Sequence, residues 1–351
     1  MKCIACNADV LYPDRQDGKC NKCGHAFAFD PRKGDKLTDA AFKAAIERVS
    51  SLHSVKWTEQ HLYYEIARRT RSGSKSGALV LGLLGMIVAA AAVFWLGALL
   101  LTALFWTIAV FIWPRARIGL ARSDFGRMWD RWVAVHGAPT SLIVRRTQAV
   151  SRRKGKLPSD IAGYSFDRAV ITDRPETADV LLANNFHFEN NCAVLCVDGY
   201  PEGVFETVRA MLRNNPKLTV YALHDATVKG CGLGRRLSES REWFKGSGAQ
   251  VVDVGLRPAH AAPFHGCWLP ESVPLADNDA LNAAERRFLS RYSVELAVIR
   301  PEQTIKRLFR AISGKQEALV GGDGGGDGVY VDLDSFSDDA SASDGGGDSF
   351  G

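Results

Sequence analysis

Four cysteines near the N-terminus carry the clearest chemistry in this sequence. Cys3-Ile-Ala-Cys6 is followed, after thirteen residues, by Cys20-Asn-Lys-Cys23-Gly24. Each C-x-x-C pair can fold as a tight knuckle that aims two thiolates at one ion, and two knuckles complete the tetrahedron of a four-cysteine zinc site. Binding the metal supplies folding free energy that so small a segment lacks. The protein fills all four coordination positions, so the site reads as structural, not catalytic. Gly24 permits the left-handed turn such loops often need. His25 beside it is either an outer-shell partner of the ion or an exposed side chain.

A second constellation is acidic. Ala169-Val-Ile-Thr172, Cys192-Ala-Val-Leu-Cys-Val197, Leu218-Thr-Val-Tyr-Ala-Leu223 and Gln250-Val-Val-Asp-Val254 read as short buried strands. Helices are expected between them, at about 175–184, 202–213 and 233–244. Strands alternating with helices argue a mostly parallel α/β sheet, and such sheets bind ligands outside the carboxyl ends of their strands. Asp173, Asp198 and Asp225 fall at three of those ends. Convergent carboxylates there could hold Mg2+, a hard ion that prefers oxygen ligands. Asp after a strand is also a common turn residue, so the pattern alone leaves both readings open. Cys192 and Cys196 alternate onto one face and read as core. Cys231 follows a glycine at a helix start, where a thiol pKa can fall. His260, His265 and Cys267 form a loose potential metal cluster.

Residues 169–261 resemble a Toprim domain, closest to the version in the A subunit of type VI DNA topoisomerases. The similarity rests on Ala169-Val-Ile-Thr-Asp173, Gly199-Tyr-Pro201, Val220-Tyr-Ala-Leu-His-Asp225 with Gly230 beyond, and Val254-Gly-Leu-Arg-Pro258. The resemblance implies an acidic residue after the first strand and an Asp-x-Asp pair after the third, which together bind Mg2+ and act on phosphodiesters. Asp173 takes the first position, Asp225 the second, and Thr227 stands where the last Asp is expected. Thr keeps an oxygen but lacks the negative charge of a strong Mg2+ ligand. Nothing matches the tyrosine-bearing cleavage domain of those topoisomerases. Residues 1–30 likewise resemble a zinc ribbon.

These sites need elements to position them. Thr38 or Asp39 can cap a helix with Phe42, Ala45, Ile46 and Val49 on one face, and Thr58 another with Leu62, Tyr63 and Ile66. Ala78 to Trp113 then runs 36 residues without a charge. That is too long for one membrane crossing of about 30 Å, so two short helices, 78–95 and 98–113, are the better expectation. Arg68, Arg69, Arg71 and Lys75 precede the run, and Arg115, Arg117 and Arg122 follow it. Basic flanks stay cytoplasmic, which a hairpin satisfies at both ends. Arg115 to His136 reads as a basic amphipathic helix, lying in the lipid interface with its tryptophans at headgroup level or packed on the next domain. Arg145 to Lys156 holds six Lys or Arg in twelve residues, a linker suited to anionic lipid or nucleic acid.

The net charge is +5, but residues 321–351 hold eight Asp and no Lys or Arg, which leaves the rest of the chain at about +13. A basic body suggests anionic partners. The Gly, Asp and Ser tail has too little apolar surface to fold alone. The expectation is therefore a multi-domain inner-membrane protein with both termini cytoplasmic. A zinc ribbon (1–30), a helical segment (36–72), a transmembrane hairpin (77–114), a juxtamembrane helix and linker (115–158), a Toprim-like α/β domain (160–261), C-terminal helices (275–314) and the tail follow in order. Its expected function is a non-catalytic binding or scaffold module, with structural Zn and a degenerate Mg site at Asp173, Asp225 and Asp198. The alternative is a Mg-dependent phosphoesterase or nuclease with Asp173 and Asp225 catalytic, acting near the membrane. The lipid bilayer, anionic headgroups and nucleic acid are the partners in view.

Overall fold

The structure is a computed structural model that describes residues 2–11, 14–15, 18–70, 119–144, 166–264, 266–273 and 281–320. Helix α1 (Asp39–Val49) starts where Thr38 caps it, the Thr38 hydroxyl accepting the Ala41 N–H at 3.2 Å. Its residues Phe42, Ala45, Ile46 and Val49 recur at helical spacing and are all buried. Helix α2 (Glu59–Thr70) buries Leu62, Tyr63, Tyr64 and Ile66, and with them the charged Glu65. Helix α3 (Arg122–His136) buries Phe125, Met128, Trp129 and Trp132. The rings of the three helices, with Trp57 just before α2, interlock: Trp132 lies 4.7 Å from Phe42, Trp129 6.3 Å from Trp57, and Phe125 5.5 Å from Tyr63. The stripe of α3 that suited a lipid interface is thus core, with its tryptophans packed on protein.

The α/β part follows as strand β1 (Arg168–Thr172), helices α4 (Pro175–Ala183) and α5 (Phe186–Glu189), β2 (Cys192–Cys196), α6 (Phe205–Arg213), β3 (Thr219–Leu223), α7 (Val228–Cys231), α8 (Leu233–Glu239) and β4 (Gln250–Asp253). The four strands form one parallel sheet in the order β2-β1-β3-β4. Successive strand residues point to opposite faces, and both faces are apolar. Ala169, Ile171, Ala193, Leu195, Val220 and Ala222 pack with Phe205, Leu212, Leu237 and Trp243 on one side. Val170, Cys192, Val194 and Tyr221 face the other way and join a core shared with α1, α2 and α3. The chain closes with β5 (Leu269–Pro270), α9 (Ala283–Leu289), β6 (Tyr292–Ser293) and α10 (Pro301–Val320), β5 and β6 pairing antiparallel. Phe309 of α10 packs on Phe186 of α5 at 5.3 Å.

One expectation is corrected here. No helix among the described residues is long and apolar enough to cross a membrane. The fold class is instead a four-stranded parallel α/β sheet with a four-cysteine cluster and packed helices, and the transmembrane hairpin and the inner-membrane location inferred from it are set aside. Residues 77–114 lie outside the described residues. The three flanking arginines among the described residues have other partners. Arg68 and Arg69 lie 2.8 and 3.8 Å from the buried Glu65, and Arg122 lies 2.8 Å from Glu295. The N-terminal helices and the α/β sheet share one core.

Two outcomes follow from this packing. Trp132→Ala removes the ring that α1 and α3 share, and is expected to cost about 3–5 kcal/mol of stability, read as a lowered denaturant midpoint with unchanged slope. Burial holds His61 and His260 down to about 4. Each stays neutral in the folded chain but takes up a proton near pH 6.5 when unfolded. Their contribution is therefore present above pH 6.5 and lost as pH falls towards 4. Thermal melts across that window should fall less steeply in His61→Gln than in the parent; identical slopes would rule His61 out as a source of the acid sensitivity.

Candidate functional site

The four cysteines converge. Cys3 Sγ lies 3.7 Å from Cys23 Sγ and Cys6 Sγ 3.8 Å from Cys20 Sγ, and all four sulfurs sit within 4.8 Å of one another. A tetrahedral ion with Zn–S bonds of about 2.3 Å needs sulfurs about 3.8 Å apart, whereas a disulfide would bring them to about 2.05 Å. The quartet could therefore hold a metal ion such as zinc. Both knuckles are built alike. Asn7 N–H donates to Cys3 O at 2.9 Å and Gly24 N–H to Cys20 O at 2.8 Å, and Asn7 and Gly24 both take the left-handed conformation, at φ 56 and 73. Asn is the residue that, after Gly, most readily adopts that conformation, so Asn7 is the counterpart of Gly24 that the spacing alone did not reveal.

The cluster is tied to the helices. His25 Nε2 meets His136 Nδ1 at 3.0 Å, and His136 Nε2 meets Asp39 Oδ2 at 2.8 Å. Asp39 is fully buried and also accepts the Ala28 and Phe29 N–H groups, each at 2.9 Å. His25 is therefore half-buried and engaged, in contact with α3.

The second candidate site lies where β1 and β3 end. Asp173 and Asp225 are brought together: the Asp225 backbone N–H donates to Asp173 Oδ2 at 2.9 Å. Asp225 is buried, and both of its carboxylate oxygens are engaged. Oδ1 accepts the Leu296 N–H at 2.7 Å, and Oδ2 faces Arg174 Nε at 3.4 Å. Arg174 also reaches Glu295 at 3.0 Å, and Glu295 takes Arg122 and the Tyr64 hydroxyl, both at 2.8 Å. Thr227 caps α7, its hydroxyl accepting the Gly230 N–H at 2.9 Å. Asp198 is exposed at the end of β2. Among the described residues, the only group of three or more potential ligands in coordination distance is the cysteine quartet.

The backbone seals this edge. Ala226 and Val294 exchange hydrogen bonds of 2.9 and 3.1 Å, which lays residues 293–296 across the strand ends. A Cβ on Gly230 would stand 2.3 Å from the Asp225 carbonyl oxygen, so only glycine lets α7 sit this close. Burial, with the nearby Asp173 charge, pushes the Asp225 carboxyl up to about 7. Burial also raises Asp173, whose Oδ1 is buried without a hydrogen-bond partner.

Beside the pair, His224 is fully buried, and its Nε2 meets Asp253 Oδ1 at 2.9 Å. Burial opposes its charged form, but Asp253 outweighs burial and the imidazole pKa rises. Gly255 lies against that ring, where a Cβ would be 2.3 Å away. Arg257 joins Asp253 at 3.6 Å to Glu285 at 3.0 Å. Arg174, Glu285 and Glu295 escaped the sequence reading because their charged partners are far away in the chain. The third candidate, Cys231, is buried, and burial pushes its thiol up to about 12, the reverse of activation. Cys267 is buried as well, and His265 lies outside the described residues.

No known protein family matches the chain, and no curated protein or solved structure does.

For the quartet, the expected outcome is about one zinc per purified chain by atomic absorption, and none in Cys23→Ser. Because His25 and Phe29 dock on α3, that variant should also melt at a lower temperature. Full metal content in Cys23→Ser would reject the assignment.

Proposed function

We propose that this chain is a non-catalytic binding or scaffold module, in which a structural zinc ribbon is docked on a Toprim-like α/β domain whose metal site is degenerate. One observation carries the reading: the Arg174 guanidinium sits between Asp225 and Glu295, at 3.4 and 3.0 Å. An internal cation there neutralises the charge that a divalent ion would need. The other oxygen of Asp225 serves the Leu296 N–H, and Thr227 serves α7 as a cap. The parallel strand order and the acids after β1 and β3 support the Toprim-like part of the reading.

A second reading, a Mg-dependent phosphoesterase or nuclease, draws on one feature. Asp173 Oδ1 is a buried carboxylate oxygen that no hydrogen bond satisfies, and such groups are costly unless something uses them. Calorimetric titration with Mg2+ and Mn2+, beside a hydrolysis screen on single-stranded nucleic acid and simple phosphodiesters, separates the two. The parent chain should show no saturable heat at millimolar metal and no turnover. Thr227→Asp retains a good helix cap and restores a carboxylate, so it should bind more tightly than the parent. Saturable binding by the parent that disappears in Asp173→Asn, with turnover, would transfer the assignment to the enzyme.

A further inference from the structure

Glu65 on α2 is buried, and four arginines crowd it. Arg48 Nε lies 3.5 Å and Arg69 Nε 3.8 Å from its Oε1. Arg68 Nη2 lies 2.8 Å and Arg300 Nε 3.4 Å from its Oε2. Arg48 stands at the end of α1, Arg68 and Arg69 at the end of α2, and Arg300 directly before α10. Three segments thus bring four guanidinium groups to one carboxylate, which balances one of them.

The other acids of this region have partners of their own. Glu47 faces Lys43 at 3.8 Å, and Glu302 takes Lys306 at 2.6 Å and the Ser51 hydroxyl. Four positive charges against one negative leave a surplus of three. The C-terminal ends of α1 and α2 offset about half a charge each, and the N-terminal end of α10 returns about half. A surplus of about two charges or more therefore remains where like charges repel. Burial holds the Arg48 pKa below the ordinary arginine value, and the Arg300 and Arg68 charges add to that effect against Glu65.

The forks are held in place, and part of each donor set is unused. Arg48 Nε also donates to Ala44 O at 3.1 Å, and Arg69 Nη1 to Ala41 O at 3.4 Å. Among the described residues, no hydrogen bond is made by either terminal nitrogen of Arg48, by Arg68 Nη1 or by Arg69 Nη2. The side chains of Arg48, Arg68, Arg69 and Arg300 are 37, 31, 31 and 25% exposed, so the cluster opens to solvent. A guanidinium fork matches a tetrahedral oxyanion through two parallel bonds, and a fork already fixed loses little freedom on binding it.

We propose that Arg48, Arg68, Arg69 and Arg300 form a binding site for a dianionic phosphate group, free or carried by a small monoester. Glu65 holds the four forks from the buried side, and the phosphate neutralises the charge left over. The residues are distinct from those at the strand ends, so phosphate and Mg2+ titrations report on different groups.

Calorimetric titration of the full chain in phosphate-free buffer, with inorganic phosphate and with glycerol phosphate, tests this. The parent should bind saturably at millimolar ligand or below, and added chloride should weaken the binding. Arg69→Gln leaves Glu65 three arginines and should bind about tenfold more weakly, as should Arg48→Gln. Arg213→Gln removes an equal charge from an exposed position on α6 and should bind as the parent does. Should the first two variants fail to fold, the parent decides alone: phosphate should raise its melting temperature above that in chloride of equal ionic strength. Tighter binding of inorganic phosphate would assign the site to the free ion, and equal or tighter binding of glycerol phosphate to a monoester. No saturable heat and no thermal shift in the parent would overturn the proposal. So would binding that survives both Arg69→Gln and Arg48→Gln, or a loss in Arg213→Gln as large as theirs.

Discussion

A single buried carboxylate, that of Glu295, joins the two halves of the fold. It accepts the Tyr64 hydroxyl from α2 and pairs with Arg122 at the start of α3 and with Arg174 after β1. The two arginines hold it below the usual carboxylate range although burial works in the other direction. An ion of this kind is tolerated in an interior only when its partners arrive with it, because stripping its water costs several kcal/mol. The helices and the sheet must therefore close on Glu295 together. Glu65 repeats the device on the far side of α2, with Arg48, Arg68, Arg69 and Arg300 all within 4 Å. Carboxylates on these seams make the N-terminal helices part of the same body as the sheet.

The same chemistry engages the carboxylates at the strand ends. A ligand-binding edge of a parallel sheet needs unengaged carboxylates and room outside the strands. Here residues 293–296 lie across the edge, and the charge of Asp225 is balanced from inside the protein. Two cavities of the molecule, one lined by Thr58 and His61 and the other along β2, are both lined by other residues.

Local signals were legible in the sequence. The cysteine spacing led to four sulfurs at coordination distance, and the apolar runs led to the four parallel strands. Short elements were not legible: α5 and α7 are four residues each, and β5 and β6 two, too few for a period to register. The larger error came from Arg68, Arg69 and Arg122. Beside an apolar run they read as membrane flanks, although Glu65 stands three and four residues before Arg68 and Arg69; only for Arg122 does the local pattern name no partner. The Arg122–Glu295 pair spans 173 residues. His25 illustrates the same limit, because its partner His136 is 111 residues away.

The Tyr63 hydroxyl donates to the Leu120 carbonyl at 2.9 Å, and Arg122 stacks over the Tyr63 ring at 4.9 Å. These contacts bring together in the core the chain positions on either side of residues 71–118. Closing a loop of that length costs on the order of 3 kcal/mol in chain entropy, and doubling it adds only about 0.6 kcal/mol. The core is therefore nearly indifferent to how long that insertion is.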